Sequence, residues 1–247
     1  MYEPRDRARA LALLDEGAGL SSASRATGIA RSTIRAWSRD PGALATQCCR
    51  CAGSYPSRGG DYVALLGFYL GDGCISRHRS RTTLRISCDP AWPSVIRDID
   101  RLIAAVHPEG RASHVRAPGT LVVHTTWKHW PCLFPQHGPG RKHERPIGLE
   151  TWQEDVVRAF PADFLRGLFH SDGARVNKWA TRMVAGQRKR YDYPRWQFSN
   201  RSDDIMALCF WALDLVEVPW RRSGPWTVSV SRREAVTRLD ELIGPKS

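Results

Sequence analysis

No stretch of the 247-residue sequence approaches the roughly 18 uncharged apolar residues that a membrane span requires. The opening Met1-Tyr2-Glu3-Pro4-Arg5 also lacks the apolar segment of a secretory signal. The expectation is a soluble, intracellular chain with no membrane partner, cytoplasmic and nucleoid-associated if the source is prokaryotic. Acidic residues are scarce: 25 Asp and Glu stand against 37 Lys and Arg, a formal net charge of +12. That imbalance bears on partners and solubility and not on fold. Cysteines number seven, which with no export signal argues for reduced thiols over a disulfide framework. Cys48 and Cys51 have the C-x-x-C spacing of half a structural zinc site, but no second C-x-x-C or H-x-x-x-H follows, and Cys74, Cys88 and the histidines offer poor completion. Free linker thiols without zinc are expected there.

Apolar residues make up 42% of the chain and include ten tryptophans, enough for a sizeable core. Two short stretches stand out within it. Leu65 to Gly73 reads "LLGFYLGDG" and Leu165 to Gly173 reads "LRGLFHSDG". Each is followed directly by a basic run. Arg77, Arg79, Arg81 and Arg85 follow the first with no acid among them; Arg175, Lys178, Arg182, Arg188, Lys189, Arg190, Arg195 and Arg201 follow the second with Asp192 alone against them. Two basic runs at matching positions of a repeat point to a polyanion-binding surface.

Before these motifs, residues 5–16 carry Ala8, Leu11, Ala12 and Leu13 at helical spacing and close at Gly17 and Gly19. Ser21 or Ser22 is placed to cap a second short helix, Gly28 marks a sharp turn, and Ile29, Ile34 and Trp37 form the inward side of a third helix that Pro41-Gly42 ends. This order resembles the helix-turn-helix of resolvase-like and transposase-like DNA-binding domains. The resemblance implies that Arg31, Ser32, Thr33 and Arg35 face DNA. The small all-α domain is expected over 1–40, and 41–60, rich in Gly and Pro without periodicity, reads as a linker.

Asp61 and Pro161 are placed to start helices that run to Asp72 and Asp172. Within them Gly67 and Gly71, and Gly167 and Ser171, lie four residues apart, so each helix presents a strip of missing side chains. Interior glycine costs a helix roughly 1 kcal/mol relative to alanine, which suits two backbones that must approach closely. Packing along these strips would bring Asp72 and Asp172 side by side. Paired carboxylates are tolerable around a divalent cation, and oxygen ligands beside phosphate suit magnesium. After each aspartate the pattern runs strand, strand, helix, strand, strand, helix, and aligning "LRISCD" with "WQFSNR" keeps the two copies in phase.

The two motifs resemble the paired dodecapeptides of LAGLIDADG homing endonucleases, over residues 61–247. That resemblance implies an α+β fold of two pseudo-symmetric αββαββα repeats, at 61–150 and 151–247, forming a DNA-binding saddle. It implies that Asp72 and Asp172, with the carbonyls of Gly71 and Ser171, bind Mg2+, and that Asn200 and Lys142 join them in catalysis. Cys88 takes the place of the polar strand residue in the first repeat, and Arg232 is the looser counterpart of Lys142. Lys178, Arg195 and Gln197, with Arg175, Arg232 and the four arginines of the first run, would contact DNA. The expected partner is double-stranded DNA, bound by a monomer with internal pseudo-twofold symmetry and hydrolysed at its phosphodiesters. The alternative is a transcriptional regulator that binds DNA on the same scaffold without cutting.

Overall fold

A computed structural model describes residues 4–39, 48–51, 53–79 and 81–246. Contacts divide the chain into two units, Met1–Tyr55 and Pro56–Ser247. The expected helix stop at Pro41-Gly42, and most of the linker ahead of Cys48, lie outside the described residues.

In the first unit, α1 (Pro4–Asp15), α2 (Leu20–Thr27) and α3 (Arg31–Arg39) close around Ala10, Ala23, Ile29 and Ile34, with Trp37 packed against them. Gly28 has φ 71, a left-handed conformation that suits glycine, and its N–H bonds Ser24 O to end α2. The second helix starts earlier than its serines suggest: Gly19 is the N-cap, and neither Ser21 nor Ser22 caps it.

The second unit is mixed α and β, with two antiparallel four-stranded sheets ordered β1-β2-β4-β3 and β5-β6-β8-β7. Its first half runs α4 (Gly59–Asp72), β1 (Gly73–His78), β2 (Arg81–Cys88), α5 (Pro93–Val106), β3 (Ser113–Ala117), β4 (Thr120–Thr126), α6 (Trp130–Leu133) and α7 (Thr151–Ala159). The second runs α8 (Pro161–Asp172), β5 (Gly173–Val184), β6 (Gln187–Ser199), α9 (Asp203–Leu215), β7 (Arg221–Gly224), β8 (Thr227–Val230) and α10 (Arg233–Ile243). The registers of the two halves correspond. Gly73 pairs with Ile86 and Gly173 with Phe198, so Cys88 and Asn200 occupy equivalent positions two residues on.

Two local details differ from the sequence reading. Helix α4 begins two residues before Asp61, whose carboxylate instead accepts from Arg101 Nη1 at 2.6 Å. Helix α7 packs on α4, with the Trp152 and Tyr62 rings 5.3 Å apart and Gln153 Nε2 donating to the Tyr62 hydroxyl at 2.7 Å. Among the described residues no helix is long and apolar enough to cross a membrane.

Candidate active site

Helices α4 and α8 meet at their glycines. A Cβ added to Gly167 would lie 2.1 Å from Ala64 O and 2.9 Å from both Gly67 Cα and Phe68 N; one added to Gly67 would lie 2.6 Å from Phe164 O. Every one of those neighbours is backbone, so only hydrogen fits. The glycine after each aspartate is equally constrained. A Cβ at Gly73 would lie 2.5 Å from Tyr69 Cα, and one at Gly173 2.5 Å from Phe169 O. Each of these glycines turns the chain from helix into strand while its N–H bonds back to residue 69 or 169. The D-G pair is therefore the sharp corner that leaves an aspartate at the tip of each helix. A Cβ on Gly71 would lie 1.7 Å from Ser171 Oγ and 2.7 Å from Ser171 Cβ, so the absence of a side chain there is what admits Ser171 beside it, with Asp172 Oδ2 3.2 Å away.

The two aspartates share one electrostatic environment. Desolvation by the surrounding protein, and then the charge of Asp172, push Asp72 up to about 6. Asp172 is also raised by desolvation, opposed by the hydrogen bond from Asn200. Asn200 Nδ2 donates to Asp172 Oδ2 at 2.7 Å while its Oδ1 accepts from Ser202 N at 2.8 Å, which holds the amide by both ends. Cys88, in the equivalent position, gives its thiol to Ile86 O at 3.7 Å and is pushed up to about 12 by burial. The aspartate pair is thus chemically lopsided.

A lysine caps each helix. Lys142 Nζ donates to the carbonyls of Tyr69, Leu70 and Gly71 at 2.5, 2.9 and 2.9 Å, and burial lowers its pKa to about 8 against the pull of Asp172 and Asp72. Lys246 Nζ donates to Ser171 O and Gly173 O, both at 3.1 Å, and is likewise lowered by burial. Lys246 thus meets the second motif's carbonyls as Lys142 meets the first's. Arg232 instead starts α10 and lines a 130 Å³ cavity with Trp220 and Arg221, a cavity that includes neither aspartate. Lys246 escaped the sequence reading because it lies three residues beyond the end of α10 at Ile243, with no motif around it. Two larger cavities flank the aspartates: 280 Å³ beside Asp72, Cys88 and Lys246, and 470 Å³ beside Asp172, Asn200 and Lys142.

The fold is similar to that of solved LAGLIDADG enzymes. I-DmoI in complex with DNA and Mn matches at TM-score 0.49 and 13% identity, over 76% of this chain and 98% of that one. The LAGLIDADG meganuclease I-AabMI bound to uncleaved DNA matches at TM-score 0.44 and 15% identity, over 73% and 82%. Full-length DUF199/WhiA from Thermatoga maritima matches at TM-score 0.47 and 16% identity, over 77% of this chain and 57% of that one. No family model and no curated protein matches the sequence.

The basic residues fall in three places. In the first unit, α3 exposes Arg31, Ser32 and Arg35, with Thr33 half-buried and Arg31 donating to Ser21 Oγ at 3.4 Å. In the second, Arg77, Arg79 and Arg81 are exposed around the β1–β2 turn and Arg85 stands on the outer face of β2. Lys178 is exposed on β5, while Arg195 and Gln197 are half-buried on β6. Arg175, exposed on β5 and paired with Trp196 in the register, makes a two-bond ion pair with Asp240 of α10, both at 2.8 Å. The pair ties the sheet to α10.

The cysteine reading also needs one addition. In the first unit Cys48 Sγ and Cys51 Sγ lie 3.4 Å apart. In the second, His129 Nδ1 and Cys132 Sγ lie 3.8 Å apart, an H-x-x-C pair that a search limited to C-x-x-C and H-x-x-x-H overlooks.

Proposed function

We propose that this protein binds duplex DNA across its two sheets and hydrolyses both strands at the Asp72–Asp172 pair, with a divalent cation as cofactor. The supporting observation is the pair itself. Two carboxylates are held at adjoining helix tips, both raised in pKa, and among the described residues no hydrogen bond or ion pair satisfies Asp72. Like charges held at adjoining helix tips call for a cation between them, and hard oxygen donors suit magnesium. Asp72 and Asp172 would hold it, with the Gly71 and Ser171 carbonyls beside them. When bound, such a cation supplies a Lewis acid and a water of lowered pKa for in-line attack on phosphorus.

The chain's own groups do the rest. Asn200 fixes the rotamer of Asp172, so that carboxylate needs little reorganisation. Lys142 and Lys246 place positive charge beside the aspartates, where a phosphate would gain it. Lys142, at about 8, is able to hold or release a proton near neutral pH. The glycine contact of α4 with α8 sets the spacing of the two carboxylates.

A second reading rests on Cys88. Without a polar partner on the strand, Asp72 lacks the orienting bond that Asp172 has, which suits a protein that binds DNA without cutting it. Enrichment of a randomised duplex pool in calcium, followed by a switch to magnesium and sequencing of new ends, separates the two. Staggered ends at one position support the nuclease; specific binding without ends supports the regulator.

A further inference from the structure

The two sheets differ in reach. In the first, β4 supports β2 over Thr83–Cys88, so only two register pairs, Arg77↔Thr82 and His78↔Arg81, extend past it. In the second, β8 supports β6 only over Trp196–Ser199, and nine pairs, Val176↔Arg195 to Val184↔Gln187, continue as a ribbon of two strands. At about 3.3 Å per residue the extra seven pairs carry the ribbon about 23 Å further. The tip turns through Ala185 at φ 50 and Gly186 at φ 76, the left-handed pair of a tight two-residue hairpin. A lone two-stranded ribbon is marginal in water, so one this long wants a partner.

Its faces are sorted by charge. On the face that leads back to Trp196 and Phe198 of the core lie Trp179, Met183, Arg188, Arg190 and Asp192. There Arg190 donates to Asp192 at 2.6 and 2.9 Å and stacks 5.3 Å over Trp179, so the ribbon's single acid is already paired. The opposite face, continuous with Gln197, carries Lys178, Arg182, Lys189 and Arg195 with Tyr191 and Tyr193 and no acid. Tyr191 is 46% exposed, and Arg195 lies 5.3 Å over the Tyr193 ring.

We infer that this ribbon lies in the major groove of duplex DNA beyond the ground the first sheet covers, so that the protein reads an asymmetric site, longer on the second repeat's side by about seven base pairs at 3.4 Å per step. The B-DNA major groove, about 12 Å wide, admits a two-stranded ribbon. Lys178, Arg182, Lys189 and Arg195 on that face supply phosphate contacts along its walls. The inference rests on the duplex-binding reading above and adds to it the shape of the target.

The test uses the full chain in calcium on a duplex enriched from a random pool, with hydroxyl-radical footprints and binding measured from 50 to 300 mM salt. The variants are Lys178→Ala/Arg182→Ala/Lys189→Ala on the basic face and Arg188→Ala/Arg190→Ala on the other. The wild-type footprint is expected to be lopsided about its centre. The triple variant is expected to lose only the outer protection on the long side and to lower the log–log salt slope by about 2.7, at about 0.9 per phosphate contact. The double variant is expected to keep that outer protection. A symmetric footprint, or a triple variant that keeps both protection and slope, overturns the inference while leaving duplex binding standing. Failure of the wild type to bind any duplex overturns the duplex reading itself, and the ribbon's role with it.

Discussion

Gly167→Ala tests whether the helix contact builds the site. The new methyl would sit 2.1 Å from Ala64 O, where about 3.4 Å is needed, so α4 and α8 must separate by more than 1 Å or bend. Overpacking of this kind costs about 1–3 kcal/mol and more against rigid neighbours, here backbone of the facing helix. Alanine returns about 1 kcal/mol of helix propensity, which leaves a net loss of about 2 kcal/mol. In a unit of this size that is about 4–8 °C in Tm. Urea unfolding followed by circular dichroism should show a lower midpoint at unchanged slope. Gly148→Ala, where an added Cβ meets nothing within 4 Å, should change little by comparison. A Gly167→Ala protein as stable as wild type, or more so, would refute the close-approach reasoning, because propensity alone favours alanine.

Other outcomes follow from single contacts. Arg175→Ala should cost about 0.5–1 kcal/mol of stability, as exposed ion pairs do, and leave the salt dependence of duplex binding unchanged; a lowered slope would return Arg175 to the DNA surface. Asp72 is raised from 3.8 to about 6, so without metal the folded state holds its proton more tightly than the unfolded state. Stability from this group is present below pH 4 and is lost as pH rises through about 6, with Asp172 adding in the same sense. Asp72→Asn should therefore flatten the fall of Tm between pH 4 and 7, and an undiminished fall would place the titration elsewhere.

Much of the fold was legible because the motif helices state their packing in glycines, and hydrogen is the only side chain that fits where Gly67 faces Gly167. The D-G corners carry equal information. The phase of "LRISCD" with "WQFSNR" was legible because strands alternate, and the pairings Gly73↔Ile86 and Gly173↔Phe198 give the same correspondence. What escaped depends on distant partners. Arg175 looks like one more arginine of a basic run until the fold brings Asp240, 65 residues on, against it. Asp61 looks like a cap until Arg101 arrives. The ribbon's length had no signal in the sequence, since Pro194 stands in the middle of β6. The structure tolerates that proline because Pro194 lies beyond the reach of β8, where a missing N–H breaks no ladder with a third strand. Lys246 had no pattern at all around it, and only the carbonyls it caps reveal its role.

The measurement that bears most directly on the Asp72–Asp172 centre is cleavage of the selected duplex, labelled on each strand in turn, by the wild type, Asp72→Asn and Asp172→Asn in magnesium. The account predicts staggered double-strand breaks from the wild type and none from either variant, with both variants binding the duplex within a few-fold of wild type in calcium. Double-strand cleavage by Asp72→Asn at the wild-type rate would contradict it.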